Sequence, residues 1–79
     1  MTGNQIRAAR ALLGMSATDL AEKSKVGLAT IRRAEAIDGE VRMIAVTEDA
    51  LRRTLEAAGI EFIEPNGGGE GVRLKARRA

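Results

Sequence analysis

The fold is decided by residues 16–35, which read SATDLAEKSKVGLATIRRAE. Ser16 is a favourable N-cap, and Asp19 follows it at the spacing of a capping box. This signal predicts a helix over about 17–23. Because apolar residues return at helical spacing after a short turn, we expect a second helix over about 27–36.

One small residue in this stretch indicates how the two helices pack. Ala21 faces inward together with Leu20, Val26 and Ile31. Small residues let two helix backbones approach closely where they cross, whereas a bulky side chain would push them apart. The pattern therefore predicts two short helices joined by a tight turn, which is a helix–turn–helix unit.

Further helices are predicted on both sides of this unit. Apolar residues between positions 5 and 13 fall at helical spacing. On the other side, Thr47 is a good N-cap for a helix that ends at Gly59. We expect the segment 36–46 to be a loop, with one helical turn near Met43.

From residue 60 the apolar pattern changes from helical spacing to alternation, which is typical of strands. Residues 60–63 and 72–75 alternate in this way, and the glycine-rich segment between them supplies a wide turn. We therefore predict a β-hairpin. Because Phe62 and Ile63 point to opposite faces of it, one face needs a further surface, either within the chain or on a second copy.

These patterns predict a mainly α fold, a compact domain of four to five short helices with a C-terminal β-hairpin. The helical domain spans 1–58, the hairpin spans 59–75, and a basic tail follows at 76–79. The hairpin either packs on the helices or forms the contact of a dimer. The chain has 79 residues, of which 44% are apolar and only Phe62 is aromatic, so the core is expected to be thin and aliphatic.

The composition excludes several classes of function. The chain has no Cys and no His, which excludes disulfides, zinc fingers, thiol nucleophiles and imidazole catalysis. We therefore predict no enzyme, no metal site and no cofactor, and we see no site for a small-molecule effector. No apolar run approaches the roughly 20 residues of a membrane span. With no signal peptide evident either, we expect a cytoplasmic protein without membrane contact.

The basic residues leave two interpretations open. Thirteen basic residues against eleven acidic ones give a net charge of only +2, which is not a nucleic-acid signature by itself. Ten of the thirteen are arginines, and the planar guanidinium suits phosphates and base edges. A solvated surface is the alternative.

The spacing of small, capping and apolar residues matches one known family at a set of positions, which are Gly14, Ser16, Leu20, Ala21, Val26, Thr30, Ile31 and Glu35. Over roughly residues 4–58 the sequence resembles the phage Cro and repressor helix–turn–helix family, also called the xenobiotic-response-element (XRE) family. The resemblance implies a λ-repressor-like transcriptional regulator that binds double-stranded DNA. A homodimer on a pseudo-palindromic site is expected, with the recognition helix at about 27–36 in the major groove.

The resemblance also implies roles for the recognition-helix residues. Arg33 matches a base-contact position, and guanine with its two acceptors is the natural partner. Leu28 and Ala29 can touch thymine methyl groups, and Thr30 adds a polar contact. Arg32 matches a position near phosphate, with a solvated surface as the alternative.

Other residues are candidates for contacts to the phosphate backbone. Such contacts need cations or exposed amides at the edges of the docked helices. Ser16 and Ala17 begin the helix that crosses the backbone in this family. Lys23, Lys25 and Arg42 flank the recognition helix in sequence.

One further pair is structural. In the family, an arginine late in the first helix pairs with the glutamate that ends the recognition helix. Arg10 and Glu35 occupy those positions here, so the resemblance implies an ion pair that fixes the orientation of the two helices.

A departure from the family pattern supports a second function. Where the family usually carries polar residues at the start of the recognition helix, this chain has Gly27, Leu28 and Ala29. An apolar start suits a protein contact as well as a thymine methyl. The alternative is therefore a protein-interaction module or antitoxin on a helix–turn–helix scaffold, with weak or no specific DNA readout.

Overall fold

The computed structural model describes residues 1–76, which form four helices followed by a two-stranded antiparallel hairpin. The elements in chain order are α1 (Gly3–Leu13), α2 (Ala17–Ser24), α3 (Leu28–Glu35), α4 (Ala45–Ala57), β1 (Ile60–Ile63) and β2 (Gly71–Leu74). The prediction of a mainly α chain with a C-terminal hairpin is confirmed. The predicted basic tail lies, beyond residue 76, outside the described residues. Among those described, no helix is long and apolar enough to cross a membrane.

Capping side chains begin the first two helices. The Ser16 hydroxyl accepts a hydrogen bond from the backbone N–H of Asp19 at 3.0 Å, and the Asp19 carboxylate accepts one from the Ser16 N–H. A second capping box, between Thr2 and Gln5, begins α1. Each box satisfies backbone donors that have no partner within the helix.

The start of α4 differs from the prediction. The helix begins at Ala45, and Thr47 lies inside it instead of capping it. The carbonyl of Ile44 accepts hydrogen bonds from the N–H groups of Thr47 and Glu48, so backbone groups close the first turn without a side-chain cap. The predicted turn near Met43 is not helical. The loop therefore runs directly into α4, and the described chain has four helices, the lower number of the predicted four to five.

Gly59 turns the chain from α4 into β1. Its φ of 113° lies in a region that side chains rarely adopt. The helix ends at Ala57, two residues before the predicted end at Gly59. The Gly59 carbonyl accepts a hydrogen bond from the Lys75 N–H at 2.7 Å, which holds the end of β2 beside the start of β1.

The hairpin register places apolar pairs on one face. The paired residues are Ile60 with Leu74, Glu61 with Arg73, Phe62 with Val72 and Ile63 with Gly71. Because strand residues alternate between faces, Phe62 lies on the face opposite to Ile63, as predicted. β2 packs on α1 and β1 packs on α4.

The core is aliphatic and draws on every helix and on β1. Its buried residues are Met1, Ile6, Ala9, Leu20, Ile31, Ala34, Val41, Leu51, Leu55 and Ile60. Phe62, Val72 and Leu74 pack against this cluster from the hairpin. One face of the hairpin therefore closes the helical core within the same chain.

A close contact fixes the loop after α3 to the start of α1. The Gly3 N–H donates a hydrogen bond to the carbonyl of Gly39 at 3.2 Å. A Cβ at Gly3 would overlap the carbonyl oxygens of Ala34 and Ile37. Only glycine fits this approach, so the position of the α3–α4 loop depends on the amino-terminal helix.

Candidate nucleic-acid interface

The turn between α2 and α3 is tight and strained at one residue. Lys25 ends α2 with a φ of 64°, in the left-handed region. The Ser24 hydroxyl accepts a hydrogen bond from the Val26 N–H at 3.2 Å. Gly27 is the N-cap of α3 and supplies no side-chain bond, so the helix begins at Leu28. The left-handed residue lets the chain turn from α2 into α3 within three residues.

An ion pair fixes α3 against α1. Arg10 donates from Nε to Oε2 of Glu35 at 2.6 Å and from Nη2 to Oε1 at 2.7 Å. Its Nη1 also donates to the carbonyl of Met15 at 3.0 Å. The hydrogen bond to Glu35 raises the pKa of the Arg10 guanidinium, because the bond favours the charged form. Arg10 and Glu35 therefore form the pair that the resemblance implies, and it orients the end of α3.

The outward face of α3 carries the residues for which base and phosphate contacts are predicted. Ala29, Arg32 and Arg33 are exposed, whereas Leu28 and Thr30 are half-buried. The opposite side of the helix is buried in the core. The helix therefore presents two guanidinium groups and a small apolar residue to solvent.

A hollow of about 390 Å³ lies between α3 and the start of α4. Its polar lining comes from Thr30, Arg33, Arg42 and Thr47. Ile37, Met43 and Ile44 are among its apolar lining residues. The sequence linked Arg42 to α3 only by its position in the chain. In the structure, Arg42 lines the same hollow as Arg33.

The other end of α3 has a second, more open hollow. Lys25 lines it together with Leu28, Gly27 and Glu22. Lys25 and Arg42 therefore border opposite ends of the exposed α3 face, which is the arrangement that contacts to two stretches of backbone need.

Three predicted contact residues have different surroundings. Lys23 lines a hollow with Arg53 and Ala58 at the end of α4, away from the hollows that Lys25 and Arg33 line. Lys23 and Lys25 are two positions apart, and side chains at that spacing on a helix point in different directions. Nearness in sequence to α3 therefore does not place Lys23 on the same side of the molecule as Lys25. The side chain of Ala17 packs against the core, and the Ser16 hydroxyl caps its own helix.

The distribution of ion pairs separates the basic residues into two groups. Five arginines are paired with carboxylates, and these are Arg7, Arg10, Arg52, Arg53 and Arg73. Within residues 1–76, no carboxylate lies within ion-pair distance of Lys23, Lys25, Arg32, Arg33, Arg42 or Lys75. Four of these six unpaired cations lie on α3 or line the hollows at its ends.

Comparison with known proteins adds no family to this description. Neither the protein-family models nor the curated proteins gave a match to the chain. The similarity to the XRE family therefore rests on the spacing of residues in the chain itself.

Sequence reasoning missed an apolar feature beside the site. Ile37, Ile44 and Val46 are exposed, although surplus apolar surface was predicted on the hairpin. The segment 36–46 has no clear periodicity, so its pattern did not indicate which side chains face solvent. The available signal was the number of large aliphatic residues in a segment predicted to be a loop.

Proposed function

We propose that this chain is a helix–turn–helix DNA-binding domain of the XRE type that regulates transcription, with α3 as its recognition helix. The observation that carries the proposal is the set of unpaired cations on α3 and at its two ends. Among residues 1–76, carboxylates pair with arginines on α1, α4 and the hairpin, whereas none lies within ion-pair distance of Arg32, Arg33, Lys25 or Arg42. Cations without internal partners are available to replace the counterions of DNA phosphates.

The dimensions of α3 suit the major groove. An α-helix with its side chains is about 10–12 Å in diameter, and the major groove of B-DNA is about 12 Å wide. The small residues Gly27 and Ala29 at the start of the helix allow its backbone to approach base edges closely. Arg33 then donates to guanine O6 and N7, while Arg32 reaches a phosphate.

Contacts on both sides of α3 set its register on the duplex. Lys25 at one end and Arg42 at the other contact phosphates of opposite strands. The Arg10–Glu35 pair keeps α3 at a fixed angle to α1, so the phosphate contacts and the base contact are made together.

A homodimer completes the proposed function. A single α3 reads only a few base pairs, and two copies related by a two-fold axis read two half-sites about 34 Å apart. The expected operator is therefore a pseudo-palindrome.

Selection of bound fragments from random double-stranded DNA tests the proposal. We expect an enriched motif with two inverted half-sites, and affinity for that motif that falls steeply with salt. Binding without sequence preference, or no binding at low salt, would contradict sequence-specific regulation.

A second candidate function is a protein-interaction module or antitoxin on the same scaffold. The observation in its favour is the start of α3, where Leu28 and Ala29 offer no hydrogen-bonding side chains. A gel shift with DNA from upstream of the gene distinguishes the candidates. Retention of specific DNA at moderate salt supports the regulator, and salt-labile, sequence-blind binding supports the module.

A further inference from the structure

The exposed apolar surface of the molecule is concentrated at the α3–α4 connection. Four large hydrophobic residues are exposed in the described part of the chain, and three of them fall between positions 37 and 46. Ile37 is 44% exposed, Ile44 is 73% exposed and Val46 is 77% exposed. We call these three residues the α3–α4 patch. Ile37 and Ile44 line the same hollow, and Val46 follows Ile44 by two residues. Exposed apolar surface of this kind on a small protein marks an interaction surface.

The hairpin, for which surplus apolar surface was predicted, does not supply such a patch. Phe62, Val72 and Leu74 pack against the core, and Ile63 is half-buried. The Arg52 guanidinium covers the ring of Phe62, with 4.7 Å from its central carbon to the ring centroid. A dimer contact is therefore better sought at the α3–α4 patch.

The adjoining face of α4 carries charges of both signs. Val46, Asp49, Ala50 and Arg53 are spaced three and four residues apart, so they share one face of the helix. The side chains of Asp49 and Arg53 are 54% and 79% exposed, and they form an ion pair with 2.9 Å between Oδ2 and Nε. This face combines an exposed apolar residue with one carboxylate and one guanidinium.

Such a face is complementary to itself. When two copies of a helix pack antiparallel about a two-fold axis, the early residues of one copy lie opposite the late residues of the other. Asp49 then faces Arg53 of the partner, and the same contact is repeated across the axis. In this register Val46 of each copy lies opposite the last turn of the partner's α4, which covers it.

We propose that the α3–α4 patch and the Val46–Arg53 face of α4 form a two-fold interface with a second copy of this chain. This inference deepens the proposed function, on which it rests, because it names the surface of the proposed dimer. DNA suits this surface poorly, since the carboxylate of Asp49 repels phosphate, the Arg53 guanidinium is already paired with that carboxylate, and the patch offers no donors.

The proposed interface borders the hollow that contains Arg33 and Arg42, because Ile37 and Ile44 line its wall. Two-fold packing there places the two basic hollows on either side of the axis. Dimerisation and DNA binding are then coupled, since each copy arrives on the duplex with its partner already in register.

Sedimentation equilibrium without DNA tests the interface. We expect the full chain to dimerise, and Val46→Glu to weaken the dimer at least tenfold, because it buries a charge without a partner. Leu12→Glu is the matched control, because Leu12 is an exposed apolar residue of α1 that belongs neither to the patch nor to the α4 face, so we expect its replacement to leave association unchanged. Circular dichroism melting checks that each variant is folded. A full chain that stays monomeric at hundreds of micromolar, or a dimer that Ile63→Lys dissociates and Val46→Glu does not, overturns the proposal.

Complementary charge variants test the antiparallel contact directly. Asp49→Arg and Arg53→Asp each place like charges across the axis, so each alone is expected to be largely monomeric. Mixed together, they restore opposite charges and form a heterodimer. If both single variants dissociate and the mixture stays monomeric, the facing of Asp49 and Arg53 is wrong.

The outcome for the interface is separable from the outcome for DNA binding. A dimer that Val46→Glu dissociates, in a chain that binds no DNA, supports the interface and contradicts the proposed function. A monomeric full chain that binds a specific half-site supports the function and overturns the interface.

Discussion

At the scale of single residues, Lys25 carries a backbone conformation that glycine adopts more easily. Its φ of 64° lies in the left-handed region, where a non-glycine residue costs about 1 kcal/mol. Within residues 1–76, no carboxylate is close enough to pair with its ammonium group. A residue with a strained backbone and a charge that is not paired within the described chain is expected to contact a ligand.

Replacing Lys25 therefore has opposite effects on stability and on DNA binding. Lys25→Gly removes the strain, so we expect a gain of about 1 kcal/mol in the free energy of unfolding. The same change removes a phosphate contact and lowers the slope of log affinity against log salt by about 1. Thermal melting and fluorescence anisotropy titration measure the two effects. An unchanged salt slope would show that Lys25 makes no phosphate contact.

Arg33 is the residue from which we expect a base-specific effect. Arg33→Ala loses two donors to guanine, so affinity for the selected operator falls by about 1–3 kcal/mol and preference relaxes at one base position. Arg73→Ala is the control, because Arg73 is also an exposed arginine but pairs with Glu61 on the hairpin. Equal affinity of Arg33→Ala and the unmodified chain would remove the base-reading role.

At the scale of elements, the Arg10–Glu35 pair determines how α1 holds α3. Arg10→Met leaves Glu35, which is only 9% exposed, without its partner. We expect a loss of about 2–4 kcal/mol in the free energy of unfolding, measured by urea denaturation. The double variant Arg10→Met/Glu35→Leu recovers much of this loss, because no buried charge remains unpaired.

The matched control for this pair is Arg7→Met. Arg7 pairs with Asp38 on the surface, where ion pairs contribute about 0–1 kcal/mol. A loss in Arg7→Met as large as that in Arg10→Met would contradict the special role of the buried pair.

The contact between α1 and the end of α3 gives a second prediction at this scale. Gly3→Ala forces a Cβ against two backbone carbonyls, so we expect a loss of about 1–3 kcal/mol in the free energy of unfolding. Gly68→Ala, in the open hairpin loop, has no atom within 4 Å of the new Cβ and serves as the control. Equal chemical-denaturation midpoints for the two variants would show that the α3–α4 loop moves away without cost.

Side-chain patterns in the sequence predicted the helices and strands whose ends are set by residues close in sequence. The capping box at Ser16 and Asp19 gave the start of α2 correctly, and alternation gave the hairpin to within one residue. Thr47 was a good cap in sequence, but the Ile44 carbonyl closes the first turn of α4 three residues earlier. The residue types do not indicate this earlier start of α4, because a hydrogen bond to the Ile44 carbonyl needs no particular side chain.

Contacts between distant residues set the features of the candidate site that the sequence did not predict. The Val41 N–H donates to the carbonyl of Met1, and the backbones of Thr2 and Glu40 form an isolated antiparallel β-bridge. These contacts hold the loop after α3 in place, and the loop in turn carries Arg42 to the hollow beside Arg33. The exposure of Ile44 follows from the same placement.

At the scale of the whole molecule, the dimensions are compatible with the proposed half-site spacing. The molecule measures 30 × 29 × 19 Å along its principal axes. Two copies side by side therefore have centres about one DNA turn apart, since one turn is about 34 Å. A dimer through the α3–α4 patch needs no linker to reach both half-sites.

The salt dependence of binding follows from the number of free cations. Lys25, Arg32 and Arg42, the three residues assigned to phosphates, together predict a slope of about −2.7 for log affinity against log salt in each protomer. Anisotropy titrations across a salt series measure this slope on an operator and on unrelated DNA. A slope near zero on both sequences would contradict an electrostatic interface around α3.

The position of Phe62 makes the molecule easy to observe in solution. It is the single aromatic residue of the chain, and its ring lies against Arg52 on α4. Every aromatic ring-current shift in the proton NMR spectrum must therefore originate from this ring. Upfield-shifted Arg52 methylene resonances report whether β1 is docked on α4, without an introduced label.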